Sequence, residues 1–124
     1  MTMESILTEE ATPLDLARRI VEVAADRQAT DIVLLDLTAS ATFTDFFVIC
    51  NGGSERQVKA IVDSIIDSLE AEKFHATHSE GAASSGWVLI DFGSVIVHVF
   101  APAEREYYRL ERLWSQATTV LQVQ

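Results

Sequence analysis

The chain of 124 residues is short of cysteine and of positive charge, and each shortage excludes something. One cysteine, Cys50, leaves no internal disulfide and no multi-cysteine metal site. Lysine and arginine number 9 against 19 aspartates and glutamates, a formal net charge of −10. Affinity for nucleic acid comes mainly from neutralising phosphates with basic side chains, so little direct nucleic-acid binding is expected. A macromolecular partner is expected to be a basic protein. No apolar run approaches the roughly 20 residues that cross a bilayer, so no membrane role is expected. Residues 1–12 are acidic and lack a signal-like or arginine-rich stretch, which points to a cytoplasmic location. Internal repeats and low-complexity segments are also missing.

What remains is a chain with 48% apolar residues, enough for one domain with a real core. Residues 1–11 read as a flexible N-terminal tail, 12–117 as a single α/β domain and 118–124 as a C-terminal tail. Thr12, Pro13 and Asp15 mark a helix start: a capping hydroxyl, a proline in the first turn and an acid at the positive end of the dipole. Leu16, Ile20 and Val23 give that helix an apolar stripe to about Arg27. Ile-Val-Leu-Leu-Asp-Leu at 32–37 and Phe-Phe-Val-Ile-Cys at 46–50 are continuous apolar runs, as central strands require. Asn-Gly-Gly at 51–53 ends the second. Ser54 with Gln57 then predicts a capping box, and Val58, Ile61, Val62, Ile65, Ile66 and Leu69 form one helical face. A short strand near residues 74–78, a loop over 80–86, a hairpin and a helix from Pro102 to about Ala117 complete the order α-β-β-α-β-β-β-α. That order implies one mixed five-stranded sheet with packed helices.

The hairpin, Trp87–Asp91 and Val95–Phe100 about a turn near Phe92 and Gly93, carries the most information. Side chains alternate faces along a strand, so Val88 and Ile90 share an aliphatic face with Val95, Val97 and Val99. The opposite face brings Trp87, Leu89 and Asp91 beside Ile96, His98 and Phe100. Large apolar groups mixed with a carboxylate and an imidazole suit an interface better than a dry interior. On the last helix Tyr107, Leu110, Trp114 and Ala117 have core spacing. Arg105, Tyr108, Arg109 and Arg112 fall on the other side, which is either a solvated face or the rim of a binding surface.

Catalytic and cofactor readings are weaker. Asn-Gly-Gly-Ser at 51–54 sits at a strand-to-helix junction, where backbone N–H groups can cradle a phosphate. It also resembles the opening of nucleotidyltransferases, which hold two metal ions on paired acids. The next acids, Asp63 and Asp67, lie on a helix, and the nearby strands offer only Asp91. A turn with a helix cap is the better reading, with neither metal nor cofactor. His75 and His78 fall on opposite faces of the strand expected there and read as solvent-facing. His98 is either a satisfied sheet histidine or an interface donor. Cys50 reads as an inert buried thiol.

Several long segments resemble the Iojap family, the ribosomal silencing factors (RsfS), in the right order. They are Asp-Ile-Val-Leu-Leu-Asp at 31–36, Phe-Thr-Asp-Phe-Phe-Val-Ile at 43–49 and Ser-Glu-Arg-Gln-Val-Lys at 54–59. Glu80-Gly81, Trp-Val-Leu-Ile-Asp-Phe-Gly at 87–93, Val-His-Val-Phe at 97–100 and Arg-Glu-Tyr-Tyr-Arg-Leu-Glu-Arg-Leu-Trp at 105–114 follow. Gly52-Gly53 departs from the Gly-Thr common in relatives. The resemblance implies a nucleotidyltransferase-like fold without the metal site and a role that is not enzymatic. It implies binding to a large-subunit ribosomal protein of the L-fourteen family, on the face that meets the small subunit. Subunit joining would be blocked and translation repressed under nutrient limitation. A homodimer is a further possibility that it raises. Carried over by position, the contact surface includes Trp87, Leu89, Asp91 and Tyr108, with His98, Arg105 and Arg109 as neighbouring candidates.

Overall fold

The computed structural model describes residues 11–114 and 117–124. All but Ala11 of the expected N-terminal tail lies outside the described residues. The first helix, α1 (Pro13–Asp26), opens with the reciprocal cap that its sequence encodes. The Thr12 hydroxyl accepts from the Asp15 N–H at 3.2 Å, and the Asp15 carboxylate accepts from the Thr12 N–H at 3.0 Å. Strands β1 (Thr30–Asp36) and β2 (Phe46–Asn51) follow, then α2 (Glu55–Ala71), β3 (His78–Ala82), β4 (Trp87–Asp91) and β5 (Val95–Phe100). Two short helices, α3 (Pro102–Tyr108) and α4 (Leu110–Leu113), lead to β6 (Thr118–Val123).

Among the described residues the sheet has six strands in the order β3-β4-β5-β2-β1-β6. Only β2 and β5 pair in parallel; the other ladders are antiparallel. The five-stranded expectation is therefore one short. The sixth strand lies in residues 118–124, read from the sequence as a tail. The reason is physical: β1 is a continuous apolar run, which as an edge would leave an unpaired backbone beside a greasy surface. Pairing with β6 makes β1 internal.

Two apolar layers result. On one face, α1 and α2 pack Ile20, Ala24, Val58, Ile61, Ile65 and Leu69 against Ile32, Leu34, Val48, Cys50 and the aliphatic side of the hairpin. Val88, Ile90, Val95, Val97 and Val99 are all on that side and all buried. The other face holds a smaller cluster of Val33, Leu35, Phe47, Ile49, Ile96 and Phe100, covered in part by Leu110 and Trp114. Burial on both faces is why β1 and β2 read as continuous apolar runs.

Two local expectations need correction. The third strand is His78–Ala82, not residues 74–78. It is an edge strand whose residues are all exposed, so it carries no apolar alternation to mark it. Phe74 and Ala76, which suggested a strand, pack on the core from the connecting segment. The last helix breaks at Arg109, which adopts a left-handed backbone (φ 47°) between α3 and α4. The break turns Leu110 into the second apolar cluster and leaves Tyr107 81% exposed, off the core side its spacing suggested.

Candidate functional site

The second face of the sheet is where the candidate residues meet. Cross-strand register pairs Trp87 with Phe100, Leu89 with His98 and Asp91 with Ile96. Gly93, in the left-handed region at φ 87°, makes the two-residue turn that sets this register, one position later than the sequence suggested. Trp87 is partly buried. It stacks on Phe100 with ring centroids 5.1 Å apart and an interplanar angle of 27°. Its other neighbour is Tyr108 of α3, at 4.5 Å, which keeps 42% of its surface exposed. An open groove of about 290 Å³ runs beside this pair, lined by Glu80, Gly81, Ser85, Trp87, Leu89 and Tyr108. Gly81 is required there: a Cβ would sit 2.2 Å from the Trp87 carbonyl oxygen. The groove thus joins an amphipathic aromatic pair to the edge strand β3, with Glu80, whose carboxylate lies 3.2 Å from His78 Nε2, among its walls.

His98, read as either a sheet histidine or an interface donor, lies beneath the surface rather than on it, only 4% exposed. Its neighbours are aromatic: the Phe47 ring meets the imidazole edge-on at 4.6 Å. The Trp87 indole N–H donates to His98 Nδ1 at 3.1 Å. Indole nitrogen only donates, so Nδ1 carries the lone pair and Nε2 the proton. Burial pushes the imidazole pKa down to about 4, which keeps the ring neutral and the acceptor available.

The remaining candidates separate from this group. Asp91 is at the far end of β4, where its carboxylate accepts from the Gly93 N–H at 2.7 Å and sits 3.7 Å from His78 Nδ1. It shapes the hairpin tip. Arg105, expected on a solvated or rim face, is instead 10% exposed. Its Nε donates to both Glu111 oxygens at 3.1 Å and its Nη1 to Asn51 Oδ1 at 2.7 Å. That fork ties α3, α4 and β2 together and explains how the break at Arg109 is held. Arg109 pairs with Glu106 and donates to the Glu106 carbonyl at 2.9 Å. A second cleft, about 440 Å³ and bordered by Asp31, Leu35, Arg105, Glu111 and Trp114, gains no free charge from Arg105, because Glu111 already neutralises it.

Residues 51–54 use their glycine N–H groups to hold the turn and the helix start. The Gly52 N–H donates to the Phe100 carbonyl at 2.8 Å, and the Gln57 N–H to Ser54 Oγ at 3.1 Å. Gln57 reaches past the cap position, so its Oε1 accepts from the Gly53 N–H at 2.6 Å. The Gly52, Gly53 and Gln57 N–H groups are therefore engaged within the chain. Cys50 is fully buried, and desolvation raises its thiol pKa to about 12, leaving it protonated and inert.

Sequence reading missed Glu80, Gly81 and Ser85 as walls of the groove. The one available signal was the Glu80-Gly81 pair inside a segment read as loop.

The family model described as "ribosomal silencing factor during starvation" matches residues 9–124. The ribosomal silencing factor of Halalkalibacterium halodurans is 40% identical over 106 residues, covering 86% of this chain and 91% of that one. A more distant mouse relative, "mitochondrial assembly of ribosomal large subunit protein 1", is 31% identical over 99 residues, or 77% of this chain and 43% of that one. A crystal structure of a Chromobacterium violaceum protein superposes with a TM-score of 0.81 at 35% identity, covering 84% of this chain and 87% of that one. The chain belongs to the family of ribosomal silencing factors.

Proposed function

We propose that this protein binds the large ribosomal subunit through the Trp87–Tyr108 face and sterically blocks joining of the subunits, repressing translation without chemistry of its own. Its docking partner in this reading is a basic ribosomal protein of the L-fourteen family, and its place of action is the cytoplasm. The observation that carries the reading is the face itself. Trp87 and Tyr108 stand together, partly exposed, beside a groove with Glu80 among its walls. Tryptophan and tyrosine in a preformed cluster are the residues most often found at interface hot spots. The net charge of −10 favours encounter with a basic surface. The large subunit as target is supported by the name of the mouse relative and by the family to which the chain belongs. A joining assay tests the proposal: purified large subunits preincubated with saturating protein are mixed with small subunits at joining magnesium concentration. Suppressed formation of the joined ribosome is expected. Unimpaired joining refutes the proposal.

Self-association is a second reading, favoured by the exposure of Leu113 (73%) and Phe43 (56%). Neither residue lines the groove beside Trp87. Sedimentation velocity across a concentration series decides it.

A further inference from the structure

We propose that His98 is a positioning residue for the partner-binding face, a hydrogen-bond acceptor whose role is to lock the Trp87 indole in its exposed pose. The proposal rests on the reading of that face given above.

His98 occupies a slot in which an apolar residue packs without penalty. Its neighbours across the sheet are Leu89 and Ile49, with Phe47 and Phe100 against the ring. Yet its Nε2 is buried with no hydrogen-bond partner among the described residues. A buried N–H without an acceptor is a cost that calls for a reason, because folded proteins satisfy nearly all such groups. Leucine or phenylalanine would avoid it. What histidine offers in return is the lone pair on Nδ1, and the group that uses it is Trp87 Nε1. The two residues are diagonal neighbours on adjacent strands, so the bond crosses the face rather than following one rung. A carboxylate in the same slot would leave a buried charge, and a hydroxyl lacks the flat ring that Phe47 and Phe100 pack against.

The indole is thereby held three ways: Phe100 on one side, Tyr108 on another, and the N–H bond fixing its in-plane angle. An aromatic anchor fixed before binding loses little rotamer freedom on binding.

The test uses the full chain. In the wild type, ¹⁵N spectra of the imidazole should show Nδ1 unprotonated and Nε2 protonated; a proton on Nδ1 overturns the proposal without any variant. His98→Phe keeps a flat ring and removes the acceptor. In that variant the Trp87 indole proton should exchange faster with solvent and lose its contacts to the Tyr108 ring. Affinity for isolated large subunits should fall about tenfold or more. His98→Asn places an acceptor oxygen near the Nδ1 position and should restore both signals in part. If Trp87→Ala weakens binding while His98→Phe leaves binding and the indole signal unchanged, His98 is packing only and the proposal fails. If Trp87→Ala itself leaves binding unchanged, the face reading fails instead.

Discussion

Acidification should destabilise this protein through one buried ring. His98 has its pKa lowered from 6.5 to about 4 by desolvation. Between those values the unfolded chain holds a proton that the folded chain refuses, so unfolding takes up protons and stability rises with pH. The contribution is fully present above the unfolded value and is lost as pH falls toward the folded one. Across the whole interval it amounts to about 3 kcal/mol, and between pH 7 and pH 5 to about 2 kcal/mol. That is a sizeable share of the roughly 5–15 kcal/mol a domain has. Stopping at pH 5 keeps the sample clear of its pI of about 4.5. Urea denaturation at pH 7, 6 and 5 should therefore show the midpoint dropping by about 1 M. Carboxylates contribute their own slope, so the comparison is with His98→Phe, which keeps the ring packing and cannot titrate. The wild-type curve should fall about 2 kcal/mol further than that of the variant. Parallel curves would refute the burial of a neutral His98.

Four further outcomes follow from the packing. Ile90→Ala, fully buried in the main core, should cost about 2–5 kcal/mol of stability. Trp87→Ala should cost less, about 1–3 kcal/mol because the ring is only partly buried, and should weaken partner binding by about 2–4 kcal/mol; equal melting losses would place Trp87 in the core. Arg109→Gly should stabilise by up to about 1 kcal/mol by relieving the left-handed backbone at φ 47°, less a small loss from the Glu106 pair, as read by thermal melting. Cys50 should resist iodoacetamide at pH 8 until the fold is opened by denaturant; rapid labelling of native protein contradicts its burial.

The sequence displayed those parts whose periodicity reaches the core. Alternation in the hairpin separated Val88 and Ile90 from Trp87 and Leu89, and the structure keeps that division. Thr12 and Ser54 marked helix starts because a capping side chain is a local device. Three features were illegible because nothing local encodes them. Strand β3 is exposed along its length, so it bears no apolar pattern. Strand β6 exists to cover β1, a requirement set by tertiary context. The break at Arg109 carries neither glycine nor proline; it is held by Arg105 reaching Glu111 and Asn51, which are distant or across the break. Parity put Trp87 and Leu89 on the face opposite the main core, where they lie, while the depth of His98 and the clamp role of Arg105 depended on what lies above them.

The central claim, that the Trp87–Tyr108 face is a docking surface for the large subunit, is tested most directly by co-sedimentation through sucrose gradients. Wild type and Trp87→Ala are each mixed with isolated large or isolated small subunits. The wild type should travel with large subunits and not with small ones, and the variant, still folded by thermal melting, should remain near the top. Equal partitioning of the wild type to both subunits, or undiminished co-sedimentation of the variant, would contradict it.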